Sequence, residues 1–317
     1  MADDANLPAY FERIGFSGSI APTLKTLEAL CALHPAAVPF ENMDVLMGSA
    51  IRLEPNNIQQ KLIFEKRGGY CFEQNLFFRR ALETLDYKVR LIGATVLWGE
   101  PEAAPGEERP VTHLALLVDI AGTNYLCDVG FGGVTLTAPL KLKSDAVQQT
   151  PHEPFRLSNA EGVWTLEVEI AGDWRKVYRF TTEEKTFEEI EAMNDKVERM
   201  PRFREALMVA RAEKGRRLSL ANNRLTTHVV GENRQVRVIS SLDDLKKVLA
   251  ETFGIALPSA ERLDPALSRF FPQAAAPVEA EAAPAEPDIA GGETEPVVAT
   301  TDDTVPVTAV SQQQQQQ

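Results

Sequence analysis

Only three cysteines occur in 317 residues, at positions 31, 71 and 127, an odd number without paired spacing. That excludes a disulfide framework and points to a reducing, cytoplasmic setting. No CxxC, HExxH or clustered His/Cys spacing is present, so no metal centre is expected. Positive charge is in deficit, with 33 Lys and Arg against 46 Asp and Glu and a net charge of −13. This argues against nucleic acid as a partner, because phosphate binding needs a basic surface. No window approaches 18 consecutive apolar residues, which argues against a membrane span. Met1 to Asn6 is acidic and has no apolar run, unlike a signal peptide. From Ala274 to Gln317 there is no Lys, Arg or aromatic residue, while eight acidic residues and a final run of six glutamines are present. Such a segment buries too little apolar surface to offset its ordering entropy, so a disordered tail is expected there. Without those eight acids the net charge of the remainder is about −5.

What remains is 44% hydrophobic overall and long enough for a full core with two or three subdomains. Residues 1–90 read mainly as helices: Pro22 to His34, Asn57 to Lys66, and Cys71 to Leu85. Cys31 continues the helical stripe of Leu24 and Leu27, a core position. Over 91–195 the pattern turns to strands, at Arg90 to Trp98, Val111 to Ile120, Thr123 to Val129, Val163 to Ile170 and Trp174 to Phe180. The polar, proline-rich loop from Gly99 to Pro110 belongs on the surface. Over 196–273 the pattern predicts a helix from Pro201 to Lys214, strands at Arg216 to Thr227 and Gln235 to Ser240, and a last helix to Phe253. That helix is started by the capping signal Ser241-Leu242-Asp243-Asp244 and ended by Gly254. The expected class is α+β: a helical bundle, an antiparallel β barrel, an α/β lid and the tail, 274–317.

Cys71 is the most informative position. It follows Arg67-Gly68-Gly69-Tyr70 and opens a helix whose Phe78, Ala81, Leu82 and Leu85 form one apolar stripe. The two glycines are expected to let the backbone turn sharply, placing Cys71 in the first helical turn. There the free N–H groups and the helix dipole favour a thiolate, the nucleophilic form. If Ala121-Gly122 is a two-residue hairpin turn, Ile120 pairs with Thr123 and Ala115 lies opposite Asp128. His113, two residues further along, then shares a sheet face with Asp128, close enough for a carboxylate to orient the imidazole.

Arg67-Gly68-Gly69-Tyr70-Cys71-Phe72-Glu73-Gln74-Asn75, Thr112-His113 and Asp128-Val129-Gly130-Phe131-Gly132 together resemble the three signature segments of the arylamine N-acetyltransferases. Tyr10 to Gly15 and Pro39 to Asp44 look like that family's N-terminal segments, and the resemblance runs from about residue 8 to about residue 257. It implies a core like that of cysteine proteases and transglutaminases. It also implies that Cys71 carries the acetyl group, with His113 as its base and Asp128 orienting His113. The donor implied is acetyl-CoA and the acceptor an arylamine, arylhydrazine or hydrazide. Thr112, Gly130, Phe131, Gly132 and Gly133 match the coenzyme A cleft, and Phe40, Val96 and Phe131 match the acceptor pocket. Arg13, Glu41 and Arg67 look like a buried charge network beneath the site. One departure stands out. Family members carry an Asn followed by a Ser/Thr-rich stretch that helps hold coenzyme A, whereas Asn194 to Phe203 has neither Ser nor Thr. Related amide synthases share the three residues but act on carrier-bound acyl groups without coenzyme A. A cysteine hydrolase, or a protein acting through its tail, is a more remote alternative.

Overall fold

The computed structural model describes residues 4–101 and 108–271. The expected tail and the middle of the Gly99 to Pro110 loop lie outside the described residues. The first region supplies α1 (Leu7–Ile14), α2 (Leu24–Ala37), a two-residue strand β1 (Phe40–Glu41) and the short α3 (Met43–Leu46). The predicted Asn57 helix is α4 (Pro55–Gln59), which widens into a π turn at Gln60–Phe64, and Cys71 is the first residue of α5 (Cys71–Thr84). Phe78, Ala81, Leu82 and Leu85 are all buried, and Cys31 packs in the same core.

Arg67 to Cys71 is placed by close approach of backbones. A Cβ on Gly68 would lie 2.2 Å from the Pro39 carbonyl oxygen. Neither Gly68 nor Gly69 has positive φ, so the expected sharp turn is replaced by tight packing against Pro39 and Glu73. His34 supports this loop from below. Its Nδ1 meets the Tyr10 hydroxyl at 2.9 Å and its Nε2 meets Gln74 Oε1 at 2.7 Å. Gln74 Nε2 in turn donates to the carbonyls of Pro39 (2.8 Å) and Gly69 (3.2 Å). Burial lowers the His34 pKa to about 4, against the opposing hydrogen bond to Gln74 and with help from Arg13. The folded chain therefore keeps His34 neutral, and its stabilising contribution is complete above the unfolded value of 6.5. It falls as pH drops from 6.5 to about 4, by about 3 kcal/mol in all. Urea unfolding at pH 7.5 and 4.5 is expected to show a smaller acid loss for His34→Gln than for the parent, because comparing the two cancels every other titrating group. Equal losses would mean that His34 is not the buried neutral group.

The barrel is an eight-stranded antiparallel sheet of β2 (Lys88–Val96), β3 (His113–Ile120), β4 (Thr123–Cys127), β5 (Leu140–Lys141), β6 (Val147–Gln148), β7 (Phe155–Ala160), β8 (Val163–Ile170) and β9 (Asp173–Glu184). Its order is β5-β4-β3-β2-β9-β8-β7-β6. A side chain nearly closes the gap between its edges: Gln148 accepts from the Lys141 amide (2.8 Å) and donates to the Lys141 carbonyl (2.9 Å). The β3–β4 register is the expected one, with Ile120 opposite Thr123 and Leu116 opposite Cys127. β7 has no counterpart among the expected strands, although Phe155 and Leu157 alternate into the core.

The third region contains the main correction. After α6 (Phe187–Glu198), the predicted Pro201 to Lys214 helix lasts one turn, α7 (Pro201–Glu205), and the chain continues as β10 (Met208–Glu213). Leu207-Met208-Val209-Ala210-Arg211-Ala212-Glu213 is rich in helix formers, but β10 has a sheet partner on each side. These are β1, with Phe40 opposite Ala210, and β11 (Arg216–Ala221). The Arg216 to Thr227 segment is likewise not one strand. Asn222, at φ 55°, and Asn223 turn it back into β12 (Arg224–Val229), which pairs with β13 (Gln235–Val238). Ser241 caps α8 (Leu242–Lys247) as expected, a π turn follows to Thr252, and α9 (Ala260–Ser268) completes the lid. Because β1 belongs to this lid sheet and the Glu41 amide donates to the Gly69 carbonyl (3.1 Å), the Arg67-Gly68-Gly69 loop is tied to the lid. The barrel is joined to it by the buried pair Glu153–Arg217 (2.7 Å). No described helix is long and apolar enough to cross a membrane.

Candidate active site

Three elements converge at Cys71. α5 provides the cysteine in its first turn, with Glu73 Oε2 accepting the Tyr70 amide at 3.1 Å to fix the helix start. β3 provides His113 at its first residue, and Asp128 follows the last residue of β4. Asn75, one turn along α5, ties the helix to both strands. Its Nδ2 donates to the Leu114 carbonyl (2.7 Å) and to Asp128 Oδ1 (3.0 Å), and its Oδ1 accepts from the Val129 amide (3.2 Å). The Asp128 carboxylate then faces His113, with Oδ2 2.6 Å from Nε2. Cys71, His113 and Asp128 are 4%, 3% and 1% exposed, so the interaction operates out of bulk water.

Burial disfavours the imidazolium, but the charge and hydrogen bond of Asp128, together with Cys71, outweigh it. They raise the His113 pKa to about 10. His113 is thus held protonated beside Cys71, the condition for a thiolate–imidazolium pair. Phe131 and Tyr178 pack against the imidazole with ring centres 5.0 and 5.2 Å away.

A cleft of about 230 Å³ opens over Cys71 and His113. All seven further residues expected there line it: Phe40, Val96, Thr112, Gly130, Phe131, Gly132 and Gly133. Sequence reasoning missed Trp98 and Phe203, and also the β10 and β11 residues Met208, Ser219 and Leu220. Met208 was hidden by the expectation of a helix at 201–214; Ser219 and Leu220 fall in an expected strand, but nothing local showed that its sheet would reach the cleft.

Two amides of the glycine-rich turn are engaged within the protein. The Gly130 amide donates to Asp128 Oδ1 (3.0 Å) and the Phe131 amide to Thr135 Oγ1 (3.2 Å). A Cβ on Gly130 would come within 2.9 Å of the Cys71 Cα, so this glycine lets the turn close upon the cysteine. Asn194 does not line the cleft. It is buried, accepts from the Tyr70 hydroxyl and donates to Glu198 Oε1 (2.8 Å). The expected charge network is also revised. Arg67 pairs with Glu41 (2.7 Å) and Asp44 (3.1 Å), and Lys61 with Asp44 (2.7 Å) and Glu73 (2.6 Å). Arg13 is not a member; its Nε points to the Leu62 carbonyl at 3.4 Å, because α1 packs on the π turn instead.

A family model described as N-acetyltransferase matches residues 23–262. The chain is 37% identical over 255 residues to an arylamine N-acetyltransferase of Escherichia coli, covering 80% of this chain and 89% of that protein. It is 36% identical to one of Mycobacterium tuberculosis, covering 79% and 89%. Its fold superposes on the Mycobacterium marinum arylamine N-acetyltransferase in complex with CoA with a TM-score of 0.80, at 32% identity over 84% of this chain and all of that one. A family match over residues 23–262, relatives sharing sequence over 80% of the chain and a fold shared over 84% of it lead to one conclusion: this protein belongs to the arylamine N-acetyltransferase family.

Proposed function

We propose that the protein transfers an acetyl group from acetyl-CoA to the nitrogen of an arylamine or arylhydrazine, by a ping-pong mechanism through acetyl-Cys71. The observation that carries this reading is the buried Cys71–His113–Asp128 arrangement at the base of an aromatic-lined cleft. In the first half-reaction the Cys71 thiolate attacks the thioester carbonyl, the carbonyl–sulfur bond to coenzyme A breaks, and the departing thiolate takes the proton of the His113 imidazolium. In the second, the amine attacks the acetyl-cysteine. Neutral His113 accepts the amine proton and Cys71 leaves as thiolate, restoring the pair.

Asp128 keeps Nε2 of His113 protonated, leaving Nδ1 as the nitrogen that exchanges the proton with Cys71. Phe40, Val96 and Phe131 form the flat apolar wall against which an aromatic acceptor displaces water. Thr112, Gly132 and Gly133 line the path of the donor's arm. Relatives named for acetyl transfer to arylamines, and one solved with CoA, favour this reading over an amide synthase or a hydrolase. The three free, buried cysteines support a cytoplasmic setting.

The test is incubation with acetyl-CoA alone, followed by intact mass and peptide mapping. One acetyl group is expected, on Cys71. Labelling of Cys31 or Cys127 at the same rate, or no labelling by acetyl-CoA while a carrier-bound acyl group reacts, would overturn the assignment.

A further inference from the structure

The helix that carries Cys71 is capped by a group whose charge works against the cysteine. Glu73 Oε2 accepts the Tyr70 amide at 3.1 Å, and a Cβ on Gly69 would come within 2.8 Å of the same oxygen. The carboxylate is thus wedged between the loop and the first turn of α5, where it is 2% exposed. A buried negative charge in the same helical turn as Cys71 disfavours a second one on the sulfur, because bulk water does not screen the two. Burial also raises the Glu73 carboxyl above its ordinary 4.5, over the opposing pull of Lys61.

Lys61 offsets that charge. Its Nζ stands 2.6 Å from Glu73 Oε1 and 2.7 Å from Asp44 Oδ2, and among the described residues it is the only cation paired with Glu73. Arg67, the other cation nearby, is shared between Glu41 and Asp44. Burial pulls the Lys61 ammonium down, but Glu73, Glu41 and Asp44 outweigh it and hold it above its ordinary 10.5, so Lys61 stays charged. Lys61 reaches the start of α5 from the π turn at Gln60–Phe64, and its carbonyl accepts the Arg67 amide at 3.0 Å. Such local widening of a helix is frequent at functional sites. The cluster therefore sets three carboxylates, Glu41, Asp44 and Glu73, against two cations, Lys61 and Arg67, for a net charge of −1. It shares no lining residue with the cleft. It opens on a separate depression of about 480 Å³, whose other charged residues, Arg52, Glu65 and Arg262, are exposed. An influence of Lys61 on Cys71 is thus not one of substrate contact.

We infer that Lys61 is a positioning residue for Cys71: through Glu73 it holds the start of α5 and cancels the charge that the cap places beside the thiolate. The inference rests on Cys71 being the nucleophile, and alkylation reads the thiolate without any acyl transfer. The test is the pH profile of Cys71 alkylation by iodoacetamide, with peptide mapping, in the parent, Lys61→Met, Glu73→Gln and the double variant. The cluster's net charge, −1 in the parent, becomes −2 in Lys61→Met, 0 in Glu73→Gln and −1 again in the double variant. The alkylation midpoint is expected to rise by about one pH unit in Lys61→Met, to fall by about as much in Glu73→Gln, and to return to the parental value in the double variant. There a glutamine oxygen still accepts the Tyr70 amide. At neutral pH the maximal rate of Cys71 acetylation is expected to follow the thiolate, falling about tenfold in Lys61→Met with KM for acetyl-CoA within about twofold, and recovering in the double variant. A merely structural cap would slow all three variants and leave their midpoints together, which overturns the inference, as does a double variant further from the parent than either single one. If Lys61→Met does not fold, Glu73→Gln decides, because a midpoint that does not fall overturns the inference equally. Failure of acetyl-CoA to label Cys71 in the parent overturns the catalytic reading instead and leaves the order of the midpoints standing.

Discussion

Cys71→Ala is expected to fold normally and to lose acetyl transfer by on the order of a millionfold, the scale seen when the nucleophile of an acyl-transfer triad is removed. Everything that fixes the site other than the sulfur survives the substitution. Glu73 still caps the Tyr70 amide, Asn75 still joins α5 to Leu114 and Asp128, and alanine is the best helix former. The removed atom is small and lies at a cleft, so little packing is lost. Cys31→Ala and Cys127→Ala form the contrasting pair. Both residues are buried, 1% and 0% exposed, and burial pushes the Cys127 thiol well above its ordinary range, so neither serves as a nucleophile. Their substitution is expected to cost stability, about 1 kcal/mol, with the acetylation rate intact. Steady-state transfer and urea unfolding on the three variants check this. A Cys71→Ala protein that still forms an acetyl-enzyme would move the nucleophile elsewhere.

The sequence made the site legible because its chemistry depends on local features. A helix start places Cys71, and a two-residue hairpin fixes which residue faces Asp128; both are written within about a dozen residues. The cleft's far wall was not legible, since β10 is a strand only because β1 and β11 flank it, and those partners are distant in sequence. Read in isolation, Leu207 to Glu213 favours a helix, and Met208 was lost with it; Ser219 and Leu220 lay in an expected strand whose place beside the cleft depends on β10. Glycine misled in a similar way. Gly68 and Gly130 look like turn residues, yet each is required by what lies against it, the Pro39 carbonyl in one case and the Cys71 backbone in the other. Glu41 and Arg67 pair as expected, but Arg13 does not join them, because charge type alone does not say which side of α1 meets the π turn.

Asp128→Asn is expected to lower acetylation of Cys71 by on the order of a thousandfold or more. The structure supplies a sharper reason than loss of charge. Asp128 Oδ1 accepts two hydrogen bonds, from Asn75 Nδ2 and the Gly130 amide, each at 3.0 Å. An asparagine can satisfy both donors only by placing its oxygen there, which turns its NH₂ toward His113. The ring meets the carboxylate through Nε2, not through Nδ1 as triad analogy with serine enzymes suggests, so Nε2 would then have to accept. The proton moves to Nδ1, and the imidazole can no longer take the Cys71 proton. Alkylation of Cys71 by iodoacetamide near neutral pH should slow in parallel, because it reads the thiolate directly. Stability offers an independent check. The His113 pKa is raised to about 10 in the folded protein, so the Asp128–His113 interaction contributes fully below the unfolded value of 6.5 and is lost as pH rises through about 10. The stability gap between the parent and Asp128→Asn should therefore be widest at pH 6 and narrow toward pH 10. A folded Asp128→Asn protein that acetylates at near the parental rate would show that another group orients His113, and a gap independent of pH would show that the imidazole is not held charged by Asp128.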